Sequence, residues 1–445
     1  MFIKNQQILF LYILLPVFCS LFPACASPEY PSGKNNEEKI KVGVYYFGQW
    51  SQEWLKRSSF PAQVREKEVW DLNRGYWIAK YEHDIWTYSE KTPVQPPHPQ
   101  GDGFDVTVRN VEGGSRQPLK GWYDDAQTEI LKQQVEEMIE YGIGYICFAW
   151  YYPDRVLHAN PQPSPFFAGS AIDAYTKLPQ ELKNKMPYML LWENSIREDW
   201  LTSYPVSPAT WDTVIDNWID NHFWRQEYIR IENKPVIVIY SAEGNPNINN
   251  PAADSDYPNG LREQYQRAGF NNPKEMLDYA RDRVASANIG CDGIYFVLCL
   301  VANDFWVKMF LLDAGVDAIT SYNVRGAVSN NPISQNFEES ITHHEAQWKY
   351  FLANSPVPVW LPAWVGFNDT PWKADGVTNQ NITPTLAQLE THLQMAHNYI
   401  QNNMDKTMGR AMIYAWNEYG EGGILEPTVG RGNSFLTIFR DVFKR

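Results

Sequence analysis

The chain has 445 residues and a formal net charge of −14, with 38 Lys and Arg against 52 Asp and Glu. That acidic balance repels nucleic acid and anionic lipid, so neither is an expected partner. Eighteen Trp and 26 Tyr are more than a core needs; aromatic faces stack on the C–H faces of sugars, although a large barrel also buries many aromatics.

The N-terminus carries Lys4, an apolar run from Ile8 to Pro23, and then Ala24-Cys25-Ala26-Ser27. This pattern predicts a secretory signal peptide over residues 1–24, since the run falls short of the roughly 20 apolar residues that span a bilayer. Cys25 stands where a bacterial lipoprotein signal places its lipidated cysteine, and residues 25–40 read as a polar tether. The expected location is therefore exported: an outer-membrane or cell-surface lipoprotein that meets the membrane only through its N-terminal lipid. The alternative is cleavage after Ala24 or Ala26 and a soluble periplasmic protein. Cys147, Cys291 and Cys299 read as core thiols rather than a disulfide framework or a zinc site, and no metal or cofactor is expected.

Beyond the tether, short apolar runs alternate with longer helical patterns. Strands are predicted at Lys41–Phe47, Tyr145–Trp150, Tyr188–Trp192, Val236–Tyr240, Gly293–Cys299, Ala318–Tyr322, Val357–Pro362 and Ala411–Trp416. Runs of this length without alternation suit parallel strands buried on both faces. Helices are predicted at Asp125–Tyr141, Ala171–Lys183, Pro208–Asn221, Pro273–Ala287, Asp304–Ala314, Phe337–Asn354, Thr385–Asn402 and Ser434–Phe443. Strand and helix in alternation predict an α/β fold, a (β/α)8 TIM barrel forming one catalytic domain over residues 41–445. No Gly-rich phosphate fingerprint follows the first strand, which disfavours a doubly wound nucleotide-binding sheet.

The long connections follow strands: Gly48 to Trp122, Tyr151 to Gly169, Ser241 to Asn259 and Val365 to Pro384. Barrel active sites lie at the C-terminal ends of strands, so these loops are expected around a substrate. Strand ends supply candidate binding residues Tyr46, Trp150, Tyr151, Trp192, Glu193, Tyr322, Trp364 and Asn417, whose aromatics read equally as sugar platforms or barrel plugs. The Asn-rich stretch Asn245–Gly260 lacks the acidic spacing of an EF-hand and reads as a turn-rich loop.

The last strand runs into Trp416-Asn417-Glu418-Tyr419-Gly420-Glu421-Gly422-Gly423-Ile424-Leu425-Glu426-Pro427. Glycines let the backbone turn sharply, with two carboxylates at i and i+3 near the barrel axis. Glycoside hydrolysis needs such a pair, one to protonate the departing oxygen and one to serve the nucleophilic side of the anomeric carbon. An E-x-x-E by itself is more often solvated surface; the strand end, the adjacent Asn417 and Trp416, and the glycines favour catalysis. Glu426 reads as a residue that pins the loop. Glu193 is the rival carboxylate: a pair drawn from strands three and eight, roughly 6.5–9.5 Å apart, would imply inversion.

WNEYGEGGILEP resembles the W-N-E-W-x-E-G-x-x-L/I-E-P signature of glycoside hydrolase family 99, of the endo-α-mannosidase-related clan, and of the WbsX-type, family-99-like proteins. VGVYYFGQW, EYGIGYICFAWYY, PYMLLWENS, NKPVIVIYS and LPAWVGFNDTPW are similar to WbsX-type segments in the same order. The resemblance implies an enzyme that cleaves α-linked glycans with retention. It gives Glu418 the task of deprotonating the sugar's own 2-hydroxyl, which attacks the anomeric carbon to form a 1,2-anhydro sugar, and Glu421 the role of general acid and then base. Gly420 stands where family 99 has His, so the sugar, the linkage and the endo or exo mode stay open.

The expected partner is thus an oligosaccharide or polysaccharide. The alternatives are a WbsX-type glycosyltransferase and a non-catalytic glycan-binding lipoprotein. Export argues against the first, because sugar nucleotides are cytoplasmic, and the D-x-D at Asp254-Ser255-Asp256 lies well out in a loop; the presence of both Glu418 and Glu421 argues against the second. If Cys25 carries lipid, Cys25→Ser should move the protein from the membrane fraction to the soluble fraction with activity kept; wild-type protein found solely in the soluble periplasm would refute the anchor.

Overall fold

The computed structural model describes residues 39–48, 116, 118–121, 123–150, 171–194, 207–242, 260–300, 314–324, 334, 336–368, 382–419 and 421–444. Cys25, Tyr151, Gly420, the helix predicted before Ala314 and most of the long loops lie outside them. Residues 38–445 form one compact unit.

Eight parallel strands make a barrel: β1 (Lys41–Tyr46), β2 (Tyr145–Trp150), β3 (Tyr188–Trp192), β4 (Lys234–Ile239), β5 (Tyr295–Cys299), β6 (Ala318–Thr320), β7 (Leu361–Trp364) and β8 (Arg410–Tyr414). Their order is β6-β5-β4-β3-β2-β1-β8-β7, every pair parallel. The ring closes between β6 and the residues just before β7, where Ile319 N donates to Pro358 O at 2.9 Å and Trp360 N to Ile319 O at 2.9 Å. Each strand is buried on both faces, which is why the sequence shows continuous apolar runs.

The helices follow the sequence closely. Phe337–Asn354 and Ser434–Phe443 fall as expected, and Leu386–Gln401 is capped by a Thr385/Gln388 capping box. The pattern read as one helix from Ala171 is two, Ala171–Thr176 and Gln180–Lys185, because Pro179 lacks the N–H an interior helical residue must donate. Pro208–Trp218 starts on a Ser207 cap and runs on as a π-helical turn, Ile219–Phe223. The seventh strand begins later than predicted, since Pro358 and Val359 serve the closing bridge.

Large aromatics fill the space between strands and helices. Trp192 stacks on Trp211 at 5.0 Å and meets Trp218 at 5.5 Å, and Trp150 meets Trp218 at 5.8 Å; all four are fully buried. Burying such side chains stabilises by about 2–3 kcal/mol each from area alone. Behind β7, His344 and His392 pack at 4.9 Å between the helices Phe337–Asn354 and Leu386–Gln401, with Trp348 stacked on His392.

Burial keeps these imidazoles neutral. His392 is pushed down to about 3 by desolvation, His222 to about 3 by desolvation and then Arg225, and His344 well below its ordinary value by desolvation and then His392. The folded values lie below the unfolded value of roughly 6.5, so their stabilisation is complete above that pH and is lost as pH falls toward 3. Each can cost up to about 1.4 kcal/mol per pH unit in that window. Between pH 6.5 and 5 few carboxylates yet contribute, so the urea midpoint should drop steeply there; a midpoint unchanged from pH 7 to pH 5 would contradict the burial of neutral histidines.

Candidate active site

Contacts across the ring identify the side chains that point inward. Tyr45 on β1 reaches Cys299 Sγ on β5 at 3.6 Å and donates to Ser321 O at 3.2 Å, beyond β6; neither strand neighbours β1, so its phenol crosses the interior. Tyr322, just past β6, meets Tyr45 at 4.8 Å, Tyr240 after β4 at 5.2 Å and Tyr414 of β8 at 4.8 Å. Four tyrosines from four different strands, β1, β4, β6 and β8, therefore form an edge-to-face floor at the C-terminal end of the barrel. Tyr45 and Tyr414 are buried, whereas Tyr322 and Tyr240 are partly exposed toward the mouth. Below them Cys147 and Cys299 are buried thiols, Cys299 pushed up to about 12 by desolvation.

The two glutamates stand on this floor. Tyr322 donates its phenol to Glu418 Oε1, and Tyr414 donates to Glu421 Oε2. Asn323 Nδ2 also donates to Glu421 Oε2, at 3.0 Å. Glu418 is 5% exposed, and Glu421 is more open. Burial first, and then the charges of Glu421 and Glu418, hold the Tyr414 phenol well above its ordinary range. Tyr414 thus remains a proton donor at any working pH, and it orients a carboxylate without titrating.

The backbone carrying the pair is pinned at many points. Residues 417–418 pair antiparallel with 423–424, and Gly422 N donates to Glu418 O at 2.8 Å. Asn417 spends its amide on the end of β1: Phe47 N donates to Oδ1 at 2.8 Å and Nδ2 donates to Phe47 O at 3.1 Å. Arg116, 5% exposed, donates to Tyr419 O at 2.7 Å and Asn368 O at 3.1 Å, and Asn368 N donates to Glu421 O at 2.6 Å. Gly422 has φ +78°, and a Cβ there would lie 2.9 Å from both Arg116 Nη2 and Asn368 N. Gly423 gives the Tyr414 ring its place, since a Cβ would sit 2.4 Å from Tyr414 Cε1.

Of the residues expected at the mouth, Glu418, Glu421 and Tyr322 come together. Tyr46, Trp150, Trp192 and Trp364 do not join them: Tyr46 donates to Gln134 on the helix Thr128–Tyr141, Trp150 and Trp192 pack on Trp218, and Trp364 lies 4.9 Å from His344. They end strands but occupy the outward face. Glu193 N extends the ladder to Trp150 O at 3.0 Å, so alternation turns its side chain away from Trp192's face and toward the interior. Asn194 is buried and ties β3 to Ser241 and Gln264. The sequence reading passed over Tyr45, Tyr240, Tyr414, Asn323 and Arg116. A signal existed for Tyr414, which lies four residues before Glu418 and one glycine-sized gap from Gly423. Among the described residues no cluster of three or more His, Cys, Asp or Glu is placed to hold a metal ion.

Residues 115–439 match the family described as Glycosyltransferase WbsX. Among solved structures, the GH99 endo-alpha-mannosidase from Bacteroides thetaiotaomicron is similar with a TM-score of 0.51 at 13% identity, over 91% of this chain and 97% of that one. A glycoside hydrolase-like protein is similar with a TM-score of 0.53 at 12% identity, over 91% of this chain and 94% of that one. At such identity the likeness is one of fold. No curated protein sequence matches the chain.

Gly423→Ala should destabilise the domain by about 1–3 kcal/mol, as expected for overpacking against the Tyr414 ring. A shift in denaturation midpoint at unchanged slope would measure it; a change below about 0.3 kcal/mol would contradict the contact.

Proposed function

The chain belongs to the WbsX family, and from that premise we propose that it is a glycoside hydrolase acting on α-linked glycans with retention of configuration. The observation that carries this reading is the pairing of Glu418 and Glu421, each with its own phenol donor, on one aromatic floor at the catalytic end of a TIM barrel. Glu418 takes the proton of the substrate's 2-hydroxyl as that oxygen attacks the anomeric carbon. Glu421 protonates the departing glycosidic oxygen, and the C1–O bond breaks as the 1,2-anhydro ring closes. Water then opens the ring at C1, with its proton passing to Glu421 and the proton on Glu418 returning to the 2-oxygen. Back-side attack needs a 2-hydroxyl trans to the scissile bond, as in an α-mannoside, and the partial exposure of Tyr322 and Tyr240 supports their contact with that sugar. Export and a lipid on Cys25 belong to the same proposal and would bring the enzyme to glycans outside the cytoplasm.

The family's description favours a second reading, transfer from a sugar nucleotide. Such a donor brings a diphosphate that calls for cations or a helix N-terminus. Arg116 donates to the main-chain carbonyls of Tyr419 and Asn368, and the phenol-bonded pair Glu418 and Glu421 supports hydrolysis instead.

Glu418→Gln and Glu421→Gln should each cost about 10²–10⁴-fold in rate with the fold kept. An activated aryl glycoside, whose leaving group needs no proton, should recover much of the first step in Glu421→Gln and little in Glu418→Gln. A reversed rescue would exchange the two roles. Wild-type rates in both, with Glu193→Gln inactive, would move the catalytic pair elsewhere, and turnover of a sugar nucleotide with no hydrolysis of any glycan would favour the transferase.

A further inference from the structure

Glu426 is a buried carboxylate that this mechanism does not use. It is 2% exposed and accepts three hydrogen bonds: from Tyr123 OH at 2.8 Å and Tyr419 OH at 2.6 Å on Oε2, and from Gln134 Nε2 at 2.9 Å on Oε1. Gln134 in turn accepts from Tyr46 OH at 2.7 Å, so the end of β1 and the helix Thr128–Tyr141 are wired to the same carboxylate. Burying a carboxylate costs several kcal/mol unless it is fully hydrogen-bonded, so a purely structural anchor would be met at lower cost by an apolar side chain of similar volume.

What the network holds is the link between the two glutamates. Tyr419 sits between them, and its ring turns down into the core while its carbonyl is taken by Arg116 at 2.7 Å. With Tyr419 tied at its phenol by Glu426 and at its carbonyl by Arg116, the peptide that joins it to Glu418 has little freedom to roll. A roll would carry the two carboxyl groups off Tyr322 and Tyr414 together.

We propose that Glu426 is a positioning residue, acting through Tyr419 to hold Glu418 and Glu421 at the spacing and tilt the reaction needs. It touches neither substrate nor reacting atoms. The inference rests on the hydrolase reading for its catalytic consequence, whereas its geometric content stands apart from that reading. Reacting groups displaced by about 1 Å can cost on the order of 10²-fold in rate, and Tyr419, though fully buried, is thereby expected to control kcat.

The test compares Glu426→Gln, Tyr419→Phe and Tyr175→Phe, assayed on an activated aryl glycoside that the wild-type enzyme cleaves, with a crystal structure of the first two. Tyr175 is the control, a buried phenol on the helix Ala171–Thr176 that donates to Met186 O at 2.7 Å, outside this network. Glu426→Gln keeps the shape of the side chain, and the phenols that donated to Oε2 can turn to accept from its amide. Both Glu426→Gln and Tyr419→Phe should lower kcat about 10- to 100-fold with KM within about threefold. Tyr175→Phe should lower Tm by a similar amount with kcat within about twofold. Equal effects on kcat from all three would make Glu426 an ordinary stabilising contact and overturn the proposal. If the wild type cleaves no glycoside, the hydrolase reading fails, and the structures decide the positioning claim: carboxyl groups of Glu418 and Glu421 unmoved in Glu426→Gln and Tyr419→Phe would overturn it, and their displacement from Tyr322 and Tyr414 would uphold it.

Discussion

Two acidic groups set three residues apart on a glycine-rich turn repel one another and are readily hydrated, and a catalyst must hold both in one orientation. Here the barrel supplies the restraint. Four tyrosines from β1, β4, β6 and β8 meet at its end, strands of which only β1 and β8 are neighbours, and two of the tyrosines donate to the two glutamates. Closing eight parallel strands into a ring is what brings those phenols together, because no local segment of the chain could present side chains from β1, β4, β6 and β8 at one point. The phenol of Tyr414 stays protonated because it is buried beside negative charge, so it orients Glu421 without itself titrating.

The second restraint lies beneath the turn. Asn417 locks it to β1, Arg116 and Asn368 hold its far side, and Glu426 collects Tyr123, Tyr419 and Gln134. These groups sit on segments distant in sequence. Desolvation raises the Glu426 carboxyl against the opposing pull of Lys120 and its hydrogen-bond donors, the mark of a group kept in place by its partners. The polar shell is therefore costly to leave half-satisfied and rigid when complete.

How much of this was legible in the sequence follows from what each signal encodes. Strand positions were readable because buried parallel strands are continuous apolar runs, and the turn carrying Glu418 and Glu421 was readable because glycines that let the backbone turn stand beside two carboxylates at a strand end. The facing of the strand-end aromatics was not, for the same reason that the strands were: with both faces apolar there is no alternation to tell Tyr45 from Tyr46. Tyr46, Trp150, Trp192 and Trp364 consequently read as mouth residues, although each packs on the helical layer. Arg116 lies in a stretch with no periodicity at all, and only three-dimensional proximity to Tyr419 reveals its task. The split of the helix at Pro179 was written plainly in the sequence and passed over.

The account turns on one chemical claim, that a pair on the same turn cleaves an α-glycoside through the sugar's own 2-hydroxyl. The most direct measurement is the anomeric configuration of the first-formed product, followed by proton NMR during hydrolysis of an α-aryl mannoside. The account predicts the α-anomer first, with slow mutarotation to the equilibrium mixture. The β-anomer first would contradict it, and would point to inversion by a wider pair that includes Glu193.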